Sequence, residues 1–248
     1  MTPLVTLLTD FGTADGYVGE MKGVLLSIAD AARVTDIAHD LPAHDVEAAR
    51  LALARYWMRF PAGTVHLVVV DPGVGSPRAA LAVECEGRFL VGPDSGVLSP
   101  ALLHPDVRCV ALPVPPGASP TFHGRDVFAP AAAQLAMGVP LDALGAPYGE
   151  PLVRRTPEAT RRADGAVSGM VLTIDRFGNL ITNLMSRRGG TIELAGRSLP
   201  LVRTYADVAA GELVALVGSS GLIEIAVRDG SAAEALGSRR GDEVLLRG

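Results

Sequence analysis

The run Val65-His66-Leu67-Val68-Val69-Val70 is apolar at every position but one, and it stops on Asp71-Pro72-Gly73-Val74-Gly75, with Arg78 close behind. A strand this uniformly apolar is buried on both faces, as in a parallel sheet covered by helices on each side. That constrains the chain to an α/β architecture. In open sheets of this kind ligands bind beyond the carboxyl ends of the strands. A carboxylate and a guanidinium delivered there by a glycine-rich loop therefore read as site chemistry. The start of the chain repeats the arrangement, with residues 4–9 running into Asp10-Phe11-Gly12. Two acid-terminated strands favour an enzyme.

Flanking patterns fit the same architecture. Val18, Met21, Leu25 and Ile28 fall at helical spacing and predict a helix over 16–28, followed by a strand at 33–37. Asp45 is placed to cap a second helix whose apolar face carries Ala48, Leu51, Leu53, Ala54 and Trp57. The β-α-β-α-β order implies right-handed crossovers and a mostly parallel sheet. Residues 79–84 and 88–91 read as a hairpin, 107–112 as a strand and 128–137 as an Ala-rich helix. We divide the chain into an N-terminal α/β domain over 1–150, a proline-bearing linker over 151–165 and a β-rich domain over 166–248. In the last, short strands at 167–174, 179–184, 191–195, 198–202, 213–217, 222–227 and 243–246 predict a small barrel or sandwich.

Composition removes several function classes. Net charge is −5 and the arginine pairs are scattered, so the basic stripe needed for nucleic acid is absent. No apolar run approaches the ~20 residues that span a bilayer. Cys85 and Cys109 lack a CxxC context and read as buried thiols. With no leader before the first strand, they point to the cytoplasm. Neither GxGxxG nor GxxxxGK[ST] occurs, which argues against an ordinary NAD site and a P-loop. His39, His44, His66 and His104 fall into no ligand spacing, so no metal is expected.

Five stretches carry polar residues at strand ends or turns. Asp10 either accepts from a ribose diol, as acidic residues do in dinucleotide folds, or caps its own turn. Asp71 and Arg78 are either site residues or a loop ion pair, and an exposed pair would stabilise little. His123, in Phe122-His123-Gly124-Arg125-Asp126, lies in a connection, where a histidine is free to act; Asp126 reads as a cap of the Ala-rich helix and Arg125 as a brace. Asp175-Arg176-Phe177-Gly178-Asn179 reads as a hairpin turn unusually rich in functional groups. Finally, Ser219 and Ser220 sit on a turn before a strand in which Glu224 is either solvent-facing or a ligand contact.

Taken together and in order, Thr9-Asp10-Phe11-Gly12, Asp71-Pro72-Gly73-Val74-Gly75 with Arg78, Phe122 to Asp126 and Asp175 to Asn179 resemble the S-adenosyl-L-methionine (SAM) hydroxide adenosyltransferases. These SAM hydrolases are related to the bacterial fluorinase and chlorinase. The resemblance implies an N-terminal α/β domain, a C-terminal β-barrel and a homotrimer with the active site at the subunit interface. It implies SAM as substrate and no further cofactor. Asp10 would hold the ribose hydroxyls, and Asp71, Arg78 and His123 would activate water. Asp175 would take the methionine ammonium, Phe177 and Asn179 the nucleoside side, and Ser219 the methionine carboxylate. Glu224 and the backbone near Ala226 would lie at the adenine end, with Tyr205 as a stacking wall.

The chemistry suits these residue types. Attack of water on the ribose C5′ expels neutral methionine from a sulfonium, so no general acid is needed. Water is a poor nucleophile, with pKa ~15.7. Arg78 can stabilise developing hydroxide but cannot take a proton. A histidine near its reference pKa of ~6.5 can accept or relay one, while Asp71 orients the water and Arg78. A carboxylate at this place repels halide, which disfavours a halogenase. A SAM or adenosine sensor without turnover is the alternative from another class. Two departures stand out: Asp94-Ser95-Gly96 replaces the family's frequent Asp-Asn-Gly, and Arg176 is a cation that must point away from an ammonium site.

Overall fold

The computed structural model describes residues 2–186 and 189–248, so the Arg187-Arg188 pair lies outside the described residues. The chain divides into two compact units, the first ending at Arg155 and the second beginning at Thr156.

The first unit comprises β1 (Leu4–Thr9), α1 (Tyr17–Ile28), β2 (Arg33–Ala38), α2 (Val46–Tyr56), β3 (Val65–Val69), β4 (Ala80–Cys85), β5 (Arg88–Pro93), α3 (Ser99–Leu102), β6 (Arg108–Leu112), α4 (Ala129–Ala136) and β7 (Ala146–Pro147). Its strands form one seven-stranded sheet in the order β2-β1-β3-β5-β4-β6-β7. β2, β1, β3 and β5 are mutually parallel, and their carboxyl ends therefore share one edge. The two-residue turn Glu86-Gly87 has both φ angles positive (51° and 67°), the backbone of a tight hairpin, and it sets β4 antiparallel to β5. The Asp45 side chain accepts from the Ala48 amide at 2.9 Å, the expected cap of α2.

β3 is buried along its whole length. Val65, Leu67 and Val69 face a core that includes Met21 and Leu25 of α1 and Ala132 and Leu135 of α4. Val68 and Val70 face the opposite core, with Leu8, Ala49, Leu53 and Trp57. Truncating one such residue, Leu67→Ala for example, costs about 2–5 kcal/mol, because the cavity only partly collapses.

The second unit comprises β8 (Thr160–Arg161), β9 (Val167–Ile174), β10 (Leu180–Thr182), β11 (Thr191–Leu194), β12 (Arg197–Val202), β13 (Leu213–Val217), β14 (Ile223–Val227), α5 (Ala232–Leu236) and β15 (Glu243–Arg247). β10-β14-β13-β12-β11-β15-β9 close into a ring through the β9–β10 pairing, and β8 adds to the side of β9. Closure leaves these strands without an open edge. Val171, Leu180, Ile192, Ala215, Ile223, Ile225 and Val244 fill the interior. The unit is a barrel rather than an open sandwich. Four of the elements named are additional to the sequence reading: the short α3 and β7 of the first unit, β8, inside the segment read as linker, and the short helix α5. Among the described residues no helix is long and apolar enough to cross a membrane.

Candidate active site

Asp71 follows β3 at its carboxyl end, and the loop behind it folds back so that Arg78 faces the carboxylate. Arg78 Nε donates to Asp71 Oδ1 at 2.9 Å, and Nη2 donates to Oδ2. The same Nη2 lies 3.0 Å from His123 Nδ1. The guanidinium stacks over the Phe128 ring, 5.2 Å from its centroid. Side-chain exposure is only 10% for Arg78 and 6% for Asp71, so this is a buried fork rather than a surface pair. His123 is buried too. Burial first, and then the Arg78 charge, push its pKa below the ordinary value against the opposing pull of Asp71 and Asp126. A neutral imidazole beside a cation and a carboxylate results.

The loop architecture explains the glycines. Gly75 has φ +76°, and a Cβ there would lie 2.6 Å from the Pro120 carbonyl oxygen. The loop after β3 thus meets the segment leading to His123 backbone against backbone. Behind His123, Arg125 donates from Nε and Nη2 to Asp126 at 2.7 and 2.9 Å, and from Nη1 to Glu20 of α1 at 2.8 Å. Asp126 also accepts from the Ser119 amide at 2.8 Å. The expectation that Asp126 caps α4 is therefore corrected: residues 124–128 form a wide helical turn entering α4, and Asp126 closes the loop before it. Arg125 is the expected brace.

Asp10 follows β1 at the same edge of the sheet. Its Oδ2 accepts from the His44 amide at 2.7 Å, which orients the carboxylate and leaves lone pairs free. Phe11, Tyr17 and Phe122 meet edge to face beside it, with centroids 5.4–5.9 Å apart. The Asp94-Ser95-Gly96 departure serves packing here. Asp94 accepts from the Leu152 amide at 2.7 Å, and Ser95 Oγ donates to the Val70 carbonyl at 3.3 Å.

The second unit gathers the remaining residues into two places. In the turn between β9 and β10, Asp175 Oδ1 accepts from the Phe177 and Asn179 amides at 2.9 and 3.0 Å, and Oδ2 accepts from Asn179 Nδ2 at 3.0 Å. The carboxylate is fixed by its own turn, Phe177 projects with 75% of its surface exposed, and Arg176 is exposed beside it. On β14, Glu224 is buried and accepts from the Tyr205 hydroxyl. Glu224 and Ala226 share the face of β14 that points away from the barrel interior, and Ala226 is packed there with Val214 and Leu216. Ser219 is exposed on the β13–β14 turn. Asp10, Asp71, Arg78 and His123 thus belong to the first unit, and Asp175, Phe177, Asn179, Tyr205, Ser219, Glu224 and Ala226 to the second.

A mixed sheet with a buried carboxylate–guanidinium–imidazole cluster at its parallel strand ends, followed by a closed barrel, defines a two-unit α/β enzyme. Residues 5–145 match the family described as SAM hydroxide adenosyltransferase N-terminal domain, and residues 169–245 match its C-terminal domain. The chain is 45% identical to the (R)-S-adenosyl-L-methionine hydrolase of Thermus thermophilus, over 98% of both chains. It is 41% identical to the enzyme of the same name from Salinispora tropica, over 99% of this chain and 98% of that one. Among solved structures, an uncharacterized conserved protein from Thermotoga maritima superposes with a TM-score of 0.89 at 32% identity, covering 98% of this chain and 100% of that one. The chain belongs to the SAM hydroxide adenosyltransferase family.

Proposed function

We propose that the protein hydrolyses SAM to adenosine and L-methionine by in-line attack of water on the ribose C5′. The observation that carries this reading is the buried fork of Asp71 and Arg78 with His123 against it. Each oxygen of Asp71 already accepts from Arg78, but a carboxylate retains further lone pairs with which to orient a water. Arg78 Nη2 is shared between Asp71 and His123. As negative charge grows on the attacking oxygen, the fixed guanidinium stabilises it, and the proton passes to the His123 Nδ1 lone pair in exchange for its contact with Nη2. The positions of the donors are set before the reaction, which is the main source of electrostatic catalysis in a buried site. The sulfonium leaves as a neutral thioether and needs no protonation.

In this reading Asp10 holds the ribose diol, Asp175 the ammonium and Ser219 the carboxylate. Phe177, Asn179, Tyr205, Glu224 and the Ala226 backbone border the nucleoside, and no cofactor takes part. We read the assembly as a homotrimer in which one subunit's first unit and a neighbour's second unit share the substrate. The exposure of Phe177 and Ser219 supports that arrangement, and light scattering reading three chain masses tests it. Residence in the cytoplasm fits the free thiols of Cys85 and Cys109.

The decisive experiment incubates the purified protein with SAM in halide-free ¹⁸O-water. Adenosine labelled at the 5′ oxygen, together with methionine, is the expected product. Bound but unchanged SAM would favour a sensor, and 5′-halogenated nucleoside on adding chloride or fluoride would favour a halogenase.

A further inference from the structure

Beyond the fork, the first unit holds a second line of polar groups that the reaction does not use directly. The Thr9 hydroxyl, fully buried, lies 2.8 Å from Nδ1 of the buried His39. His39 Nε2 is 3.0 Å from Asp36 Oδ1, and Lys22 Nζ donates to Asp36 Oδ2 at 2.6 Å. The Phe11 amide donates to Thr9 Oγ1 at 3.3 Å. The Thr9–His39 bond runs in the direction the imidazole tautomer sets, and Nε2 lies close to Asp36 without the geometry of a hydrogen bond. Although burial works to raise it, Lys22 and His39 hold the Asp36 carboxyl below its ordinary pKa.

The direction of these contacts is what matters. His39 reaches residues 9–12 twice, through its ring to Thr9 and through its carbonyl, which accepts from the Gly12 amide at 2.8 Å. Further along the same loop, His44 donates its amide to Asp10 Oδ2 at 2.7 Å. It does so from a left-handed backbone, φ 63°, which a residue with a side chain adopts only at a cost. These three bonds end on Asp10, on Thr9 just before it and on Gly12 two residues beyond it. A group recruited for core stability alone has no reason to converge on the surroundings of one half-buried carboxylate.

We propose that His39, held between Thr9 and the Asp36–Lys22 pair, is a positioning residue that sets the Asp10 carboxylate for the two hydroxyls of the substrate ribose. The inference rests on the reading of Asp10 as the diol ligand. It adds that the specificity for a ribose diol is supported by a line of contacts running from Thr9, the residue before Asp10, to Lys22. The mechanism is geometric: a carboxylate that accepts from two vicinal hydroxyls at once must be held in one orientation, and freedom about its side-chain torsions forfeits one of the two bonds.

The test compares SAM with its 2′,3′-dideoxyribose analogue in wild type, His39→Ala, Thr9→Val and Thr9→Ser. Thr9→Val keeps the shape of the buried side chain and removes only the hydroxyl, so it serves where His39→Ala folds poorly. With SAM, His39→Ala and Thr9→Val are expected to lose about ten-fold in kcat/KM, the equivalent of one charge-assisted hydrogen bond, mostly through KM. With the dideoxy analogue these variants should match wild type, and Thr9→Ser should restore discrimination. Equal losses on both substrates, no loss at all, or a wild type indifferent to the diol would overturn the proposal. If wild type leaves SAM intact, the proposed function falls instead. The positioning role is then read from affinities for adenosine over 2′,3′-dideoxyadenosine, where an unchanged ratio in Thr9→Val overturns it.

Discussion

Arg78 Nη2 lies 3.0 Å from His123 Nδ1, and since a guanidinium only donates, the imidazole accepts there and carries its one proton on Nε2. Protonating Nδ1 breaks that bond and places two cations together. The pKa of His123 is lowered by burial and by Arg78, so the neutral, competent ring persists at neutral pH and is lost as pH falls through a value below ~6.5. The acid limb of the kcat profile should therefore have its midpoint below that of a free histidine. In His123→Asn the limb should vanish, with turnover down by about 10²–10⁴, the usual contribution of a positioned acid–base group. A limb that survives the substitution would remove His123 from the proton path.

Asp71→Asn takes the counter-charge from a guanidinium that is 10% exposed. An uncompensated buried charge costs about 3–5 kcal/mol, so urea unfolding should show a loss of that order. Turnover should fall by about 10²–10³, as for loss of one preorganised electrostatic partner, while SAM affinity by calorimetry stays near wild type. Asp10→Ala should do the reverse and weaken binding. Arg78→Lys cannot reproduce a fork that bonds Asp71 through two nitrogens and still reaches His123. It should resemble Asp71→Asn in turnover.

The strands were legible because their periods are strong. β3 is apolar at every position but His66, and the seven ring strands alternate between glycine turns. β8, two residues long, has no period to read, and it forms only because β9 is there to pair with it. At the site, Asp10 and Asp71 announced themselves as acids ending apolar strands. His39 carries a related signal, a histidine one residue beyond β2, but histidine spacing speaks only to a metal site. Its contact with Thr9 spans thirty positions and leaves no local trace. Asp126 departs from the expected cap because its partner is the Ser119 amide, seven residues earlier and outside any helix. The hairpin turn at Asp175 to Asn179 is legible, but not that the Asp175 carboxylate builds the turn by accepting from its amides.

Gly75→Ala tests whether the two catalytic loops depend on their close approach. Its φ of +76° and the Pro120 carbonyl 2.6 Å from any Cβ there oppose the methyl group twice. Gly63 has φ +85° with nothing within 4 Å of its Cβ position, so Gly63→Ala carries only the backbone strain. That strain is about 1–2 kcal/mol. Gly75→Ala should destabilise by clearly more than this control and also lower kcat, because the chain must move where the loops of Asp71 and His123 touch. Equal destabilisation in both, with kcat intact, would show that the loops tolerate separation.

His66 offers a stability prediction away from the site. It interrupts the apolar run of β3, is wholly buried, and is bound through Nδ1 to Thr6 Oγ1 at 2.8 Å. Tyr56 and Phe60 meet its ring edge to face at 5.5 and 5.7 Å. Burial, with the charge of Arg88, lowers its pKa to about 4. The unfolded chain then binds this proton near pH 6.5 and the folded chain only near pH 4, so the unfolded state gains the proton first as pH falls. Stability present above pH ~6.5 is lost progressively between the two values, by roughly 3 kcal/mol in all. Carboxylates titrate over the same range in any variant, so the informative quantity is a difference. Unfolding free energies of wild type minus His66→Asn, measured in urea from pH 7.5 to pH 4, should decline by that amount. A difference that stays level with pH would mean that folding leaves the His66 pKa unchanged, and one that grows as pH falls would mean that His66 is protonated in the fold.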